Sequence, residues 1–155
     1  MSEVDWLNAD EQRTWRSYLV VNSLLEERLD RDLHRRNGLS LVEYGILVHL
    51  SEAEGMRMRM RNLAHTVIVS KSRLSHQVAR LERDGYVRRE HCSEDRRGAW
   101  AVLTEQGREA IRAAAPGHVA LVRASLFDRL NPEQVKHLTE IMDVLERGLR
   151  ESENG

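Results

Sequence analysis

The chain has 155 residues, 41% of them hydrophobic and 32% charged, with a formal net charge of −1. That length suits one domain or two small lobes sharing a core, and the composition excludes a disordered chain. No apolar run approaches the ~18 residues of a membrane-spanning helix, and the single cysteine, Cys92, excludes a disulfide framework or a cysteine pair for zinc.

The start, Met1-Ser2-Glu3-Val4-Asp5, is acidic and lacks the apolar core of a signal peptide, which predicts a cytoplasmic protein. From about Asp10 to Arg36 the spacing of Trp15, Leu19, Asn22, Leu25, Leu29 and Leu33 predicts a helix with one apolar stripe, closed by Asn37-Gly38. Ser40 with Glu43 forms a capping box for the next helix, and Leu39 and Tyr44 are placed as its hydrophobic staple. That helix carries Ile46, Leu47 and Leu50 and ends near Glu54-Gly55.

Met56-Arg57-Met58-Arg59-Met60-Arg61 alternates strictly, which predicts a short strand with methionines inward and arginines outward. A short helix over Asn62–Val67 and a turn follow, then a second helix opened by Ser70, with Leu74, Val78 and Leu81 on one face and a stop at Asp84-Gly85. Tyr86–Cys92 and Ala99–Leu103 read as a hairpin around the tip Ser93-Glu94-Asp95-Arg96-Arg97-Gly98. Thr104 caps a further helix, which Pro116-Gly117 is expected to kink or break. Asn131-Pro132-Glu133-Gln134 opens the last helix, with Val135, Leu138, Met142, Leu145 and Leu149 on one face.

Two helices, a turn and a basic hairpin form the pattern of a winged helix-turn-helix. The expected class is therefore mainly α with a small β wing, with a DNA-binding lobe over residues 40–103. A helical dimerisation lobe is expected from the N- and C-terminal helices, residues 10–36 and 104–151. Those terminal helices are long and amphipathic and need a cover for their stripes. A two-fold dimer supplies one, and an intramolecular bundle is the alternative.

Charge is partitioned along the chain. Residues 1–55 carry a net −5, residues 56–97 a net +6 and residues 98–155 a net −2. The positive charge sits on the segment read as winged helix, and phosphate neutralisation needs a local basic face rather than a basic protein. Ser70 caps the reading helix, an end that also suits a phosphate oxygen. Lys71, Ser72, Arg73, Ser75, His76 and Gln77 occupy its first two turns, where a reading helix meets base edges and backbone. Arg96 and Arg97 are candidates for a narrow minor groove, with Asp95 placed to orient Arg97.

The motifs Asn62-Leu63-Ala64, Ser70-Lys71-Ser72-Arg73-Leu74, Leu81-Glu82-Arg83-Asp84-Gly85-Tyr86-Val87-Arg88-Arg89 and Asp95-Arg96-Arg97-Gly98, leading to Leu103-Thr104, resemble those of the MarR family of transcriptional regulators. The resemblance covers nearly the whole chain. It implies a homodimer, more often a repressor than an activator, whose winged helices grip a pseudo-palindromic operator. It also implies release from DNA by a small aromatic or phenolic ligand or by an oxidant, with Arg97 as the minor-groove arginine. Two departures stand out. Ile68 replaces a glycine common in the turn before the reading helix, which predicts a different turn geometry. The cysteine that peroxide-sensing members carry near the start of the first long helix is absent, and Cys92 reads as a passive strand residue.

For the ligand, Trp15, Arg16, Tyr18 and His49 are candidates to line a cleft between the lobes, although aromatics at helical spacing more often belong to a core. The seven histidines show no metal-ligand spacing, and no cofactor is expected. The sequence has no phosphate-binding glycine loop, nucleophile elbow or His-Glu-x-x-His, which argues against an enzyme. A protein-binding winged helix is the alternative function, but it would not need basic residues on both the reading helix and the wing. RNA recognition favours exposed aromatics, of which residues 56–97 hold only Tyr86.

Overall fold

The structure, a computed structural model, describes residues 4–93 and 98–153. Helix α1 (Ala9–Asn37) is followed by α2 (Leu41–Glu52), a 3-10 turn (Glu54–Met56), strand β1 (Arg57–Arg59), α3 (Met60–Thr66) and α4 (Lys71–Arg83). Strands β2 (Val87–His91) and β3 (Ala99–Leu103) come next, then α5 (Glu105–Ser125), a second 3-10 turn (Phe127–Arg129) and α6 (Pro132–Glu153). The expected class is observed: a mainly helical chain with one small antiparallel sheet.

Local chemistry sets the helix ends. Asn8 and Glu11 form a capping box at α1 that the sequence reading overlooked, and Gly38, at φ 67°, closes the helix in the left-handed region. Ser40 and Glu43 cap α2 reciprocally, at 3.1 and 2.9 Å. Leu39 and Tyr44, the staple pair, are both buried in the same core cluster. Thr104 Oγ1 accepts from the Gly107 amide at 3.0 Å and donates to the Gly85 carbonyl at 2.7 Å, so one hydroxyl caps α5 and fastens it to the turn after α4. Gly107 is required there, because a Cβ would run into the Tyr86 carbonyl. Asn131 and Gln134 cap α6 reciprocally, at 2.8 and 2.9 Å.

The sheet order is β1-β3-β2, with Arg59 and Glu90 both opposite Trp100, and Arg57 and Arg88 both opposite Val102. Opposed residues share a face, so Arg57, Arg59, Arg88, Glu90, Trp100 and Val102 lie on one side. Val87, Ala101 and Leu103 lie on the other and join the core with Ile46, Leu47, Leu50, Leu63, Leu74, Val78 and Leu81.

The described residues divide into two compact units at His118–Val119, inside α5. In the first unit only the C-terminal part of the α1 stripe is buried, at Leu29 and Leu33. Trp15, Leu19, Val20, Val21 and Leu24 stay exposed. In the second unit Ile141, Met142, Val144, Leu145 and Leu149 of α6 are exposed. No described helix is long and apolar enough to cross a membrane.

Three expectations are corrected. The strand expected over Met56–Arg61 is only Arg57–Arg59, because β3 offers three partners there, Met56 closes a 3-10 turn and Met60 starts α3. Met56, Met58 and Met60 nonetheless pack against the core as the alternation implied. Helix α5 runs through Pro116, so of the kink or break expected there the break is excluded. Proline removes one donor, and the residue whose carbonyl loses it, Arg112, is exposed to water.

The third correction concerns Ile68, which takes φ 53° and keeps the left-handed turn that its branching argued against. Its side chain is 72% exposed, so no neighbour crowds it. The amides of Val67 and Val69 bond the Leu63 and Ala64 carbonyls at 2.9 and 3.2 Å, and both valines pack on the core. These anchors offset a cost of about 1–2 kcal/mol for an L-residue in that region.

Candidate nucleic-acid interface

The turn at Ile68 delivers Ser70 to the start of α4, where its Oγ accepts the Arg73 amide at 3.2 Å and lies 3.3 Å from Ser72 Oγ. Leu74, Val78 and Leu81 plug α4 into the core. The opposite consequence of that anchoring is a polar face: Lys71, Ser72, Arg73, Ser75 and His76 are exposed and Gln77 is half-buried. Arg73 and Gln77 also border a cleft of about 460 Å³ whose other walls include Glu26, Glu27 and Asp30 of α1 and Ser40, Leu41 and Val42 at the start of α2.

Two ties hold α4 in place. Arg80 reaches Glu43, a carboxylate only 2% exposed, at 3.3 Å. Arg89 of β2 donates through Nη2 to the Ser75 carbonyl at 2.9 Å, and its amide donates to Glu82 at 3.0 Å. The first tie joins α4 to α2, the second joins it to β2. Below the wing tip the Cys92 amide donates to the Gly98 carbonyl at 3.0 Å, and Cys92 is buried as a free thiol. Asp95, Arg96 and Arg97 lie outside the described residues.

On the outward face of the sheet the Arg57 and Arg59 guanidinium carbons lie 4.6 and 5.3 Å from the Trp100 ring centroid. Glu90 pairs with Arg88 at 2.7 Å and approaches Arg57 at 3.7 Å. The alternating arginines were legible in the sequence. Their convergence on Trp100 was not, because it depends on a cross-strand register between segments some 40 residues apart.

Of the ligand candidates, Trp15 and Tyr18 stack with centroids 6.0 Å apart, each about half exposed. Arg16 is exposed beside them and His49 is half-buried on α2. None of the four lines the 460 Å³ cleft. Tyr44 packs on His118 at 4.7 Å, and burial pushes the phenol above its ordinary pKa. His118 is pushed below its ordinary value by burial, with the charge of Asp32 partly opposing, and its Nδ1 is buried without a hydrogen-bond partner. Burial works to raise Asp32, but the hydrogen bonds and charges of Arg36 and Arg35 together hold the carboxyl below its ordinary value. Among the described residues no group of three or more His, Cys, Asp or Glu is arranged to hold a metal ion.

A family model described as the MarR family matches residues 37–98. The crystal structure of Sco3205, a MarR family transcriptional regulator from Streptomyces coelicolor in complex with DNA, is 52% identical. It superposes with a TM-score of 0.91 over 96% of this chain and 93% of that one. AbsC, a MarR family transcriptional regulator from the same organism, is 49% identical with a TM-score of 0.88, over 95% of this chain and 99% of that one. The HTH-type transcriptional repressor YetL of Bacillus subtilis is 30% identical over 110 residues, spanning 71% of this chain and 66% of the relative.

Proposed function

Since the chain belongs to the MarR family of transcriptional regulators, we propose that it is a sequence-specific duplex-DNA regulator that acts as a homodimer on a pseudo-palindromic operator, in the repressor sense. The observation that carries this reading is the exposed polar face of α4, capped by Ser70, within the one basic segment of an otherwise acidic chain. In the major groove Lys71, Ser72, Arg73, Ser75, His76 and Gln77 supply donors for phosphates and base edges. Asp95, Arg96 and Arg97, carried between β2 and β3, supply the minor-groove contact, with Asp95 orienting Arg97. A relative 52% identical was crystallised with DNA, which favours duplex DNA over a protein partner for this surface.

The dimer reading rests on apolar faces left open in each unit: Trp15, Leu19, Val20, Val21 and Leu24 on α1, and Ile141, Met142, Val144, Leu145 and Leu149 on α6. Single exposed leucines are ordinary, but clustered ones on amphipathic helices favour association. Effector release is assigned to a small aromatic or phenolic ligand that stacks on Trp15 and Tyr18, with Arg16 as counter-charge and His49 as a further contact.

The test is selection of bound sequences from a random duplex library by the full-length protein. Enrichment of a two-fold-related motif supports the reading. Absence of any enriched sequence, with the protein folded, overturns it in favour of a protein-interaction module.

A further inference from the structure

Helix α4 ends in the turn Asp84-Gly85-Tyr86, and the carbonyl of each of these residues accepts a hydrogen bond from the start of α5. Gln106 Nε2 donates to Asp84 at 3.2 Å, Thr104 Oγ1 to Gly85 at 2.7 Å and the Thr104 amide to Tyr86 at 3.1 Å. We propose that Thr104 and Gln106 are positioning residues for DNA recognition: by holding α4 to α5 they set which separation of operator half-sites the protein accepts. The inference rests on the homodimer reading above and deepens it, assigning a role to residues outside the reading helix and the wing.

Three observations carry it. First, the turn is bonded on both sides. Its amides close back on α4, from Asp84 to the Arg80 carbonyl at 3.0 Å, from Gly85 to Glu82 at 3.1 Å and from Tyr86 to Leu81 at 2.9 Å. Its carbonyls are taken by α5, so the backbone groups of the turn are spent on joining the two helices. Second, the joint is built for close approach. A Cβ on Gly107 would run into the Tyr86 carbonyl, and one on Gly85, which takes φ 80°, would stand 2.8 Å from Gln106 Oε1. Capping of α5 alone would account for Thr104 but not for Gln106, an exposed side chain that reaches a carbonyl 22 residues earlier. Third, α5 leads away from the reading helix. It begins beside the joint at Glu105 and ends at Ser125, past the boundary of the second unit, which carries the open apolar face of α6. In a two-fold dimer the separation of the reading helices depends on what each is fastened to, and operator spacing must match it.

The experiment uses the full chain and the two-fold motif found by selection. Duplexes carry the selected half-site spacing, or one base pair less or more, and fluorescence anisotropy gives the Kd on each. One step moves a half-site by ~3.4 Å and turns it by about 35°. The wild type should lose about tenfold in affinity on either altered spacing, comparable to one mismatched base pair. In Gln106→Ala and Thr104→Val that loss should shrink by about three- to tenfold, as release of one hydrogen bond per protomer implies. Thr104→Ser keeps the hydroxyl and should keep the wild-type profile. Gln106→Glu keeps the shape and adds a carboxylate favoured in a first helical turn, but it has no donor for Asp84. It should therefore melt no lower than the wild type and still relax the spacing. If Thr104→Val does not fold, the two Gln106 variants decide. Variants that bind all three duplexes weaker by one common factor would show a structural role alone and overturn the proposal. A wild type indifferent to spacing would overturn it as well. Failure of selection to yield any two-fold motif would instead mark failure of the homodimer reading, and the proposal would fall with it.

Discussion

The Arg89 guanidinium donates to the backbone carbonyl of Ser75 at 2.9 Å, so the wing is fastened to the second turn of the reading helix by a single side chain. Glu82 accepts the Arg89 amide at 3.0 Å and completes the link. If α4 and the wing enter neighbouring grooves as proposed, a rigid angle between them lowers the ordering cost of binding both at once. Arg89→Ala should therefore fold but bind operator about tenfold more weakly, a loss of about 1.4 kcal/mol. Arg89→Lys should recover only part, because a point-like ammonium cannot reproduce the fork of the guanidinium. Anisotropy on both variants, beside their thermal melts, measures this. Wild-type affinity in Arg89→Ala would show that wing and helix bind independently.

Arg80 and Glu43 should matter for stability instead. Glu43 is 2% exposed and accepts the Ser40 amide while Arg80 stands 3.3 Å away. Arg80→Ala strands a buried carboxylate with its cap bond alone, and a loss of about 2–3 kcal/mol is expected. Urea unfolding measures it. A loss below about 0.5 kcal/mol would place the pair among surface ion pairs of little consequence.

At the turn before the reading helix, Ile68→Gly should stabilise the fold. It relieves the cost of φ 53° on a β-branched residue, against a smaller entropic cost of glycine in the unfolded chain. A net gain of up to about 1 kcal/mol is expected, since the side chain is exposed and surrenders little packing. A lower melting temperature in the glycine variant would show that Ile68 contributes contacts worth more than the strain.

Acid should weaken the first unit through His118. Its folded-state pKa lies below the ordinary value of 6.5, mainly from burial, so the unfolded chain takes up the proton more readily. Stability is then fully present above about pH 6.5 and declines as the pH falls below it toward the folded-state value. His118→Phe, which keeps a ring against Tyr44, should flatten the melting temperature between pH 7.5 and 5.5 relative to wild type. An unchanged slope would move the titration to another group.

The sequence showed most of what local chemistry decides. The boxes of Ser40 with Glu43 and of Asn131 with Gln134, and the caps at Ser70 and Thr104, lie where side-chain spacing put them. It misled where tertiary anchors override local preference. Ile68 is forced left-handed by the valines on either side of it, and Pro116 does not break the helix that holds it. It was silent where distant segments meet. The Trp100 stack needs the register of β1 on β3, and the Arg89–Ser75 bond needs the wing folded back on α4. Lys71, Ser72, Ser75 and His76, the residues proposed to read DNA, were legible as an exposed face, because the apolar spacing of Leu74, Val78 and Leu81 already fixes which side of α4 is buried.

The most direct test of the account is fluorescence anisotropy with duplex DNA from the region beside the protein's own gene, at two salt concentrations, against a random duplex and an Arg97→Ala protein. The account predicts tight, salt-sensitive binding that prefers the native duplex, together with weaker binding and a shallower salt slope in the variant. Equal, weak binding of both duplexes, or a variant indistinguishable from wild type, would contradict it.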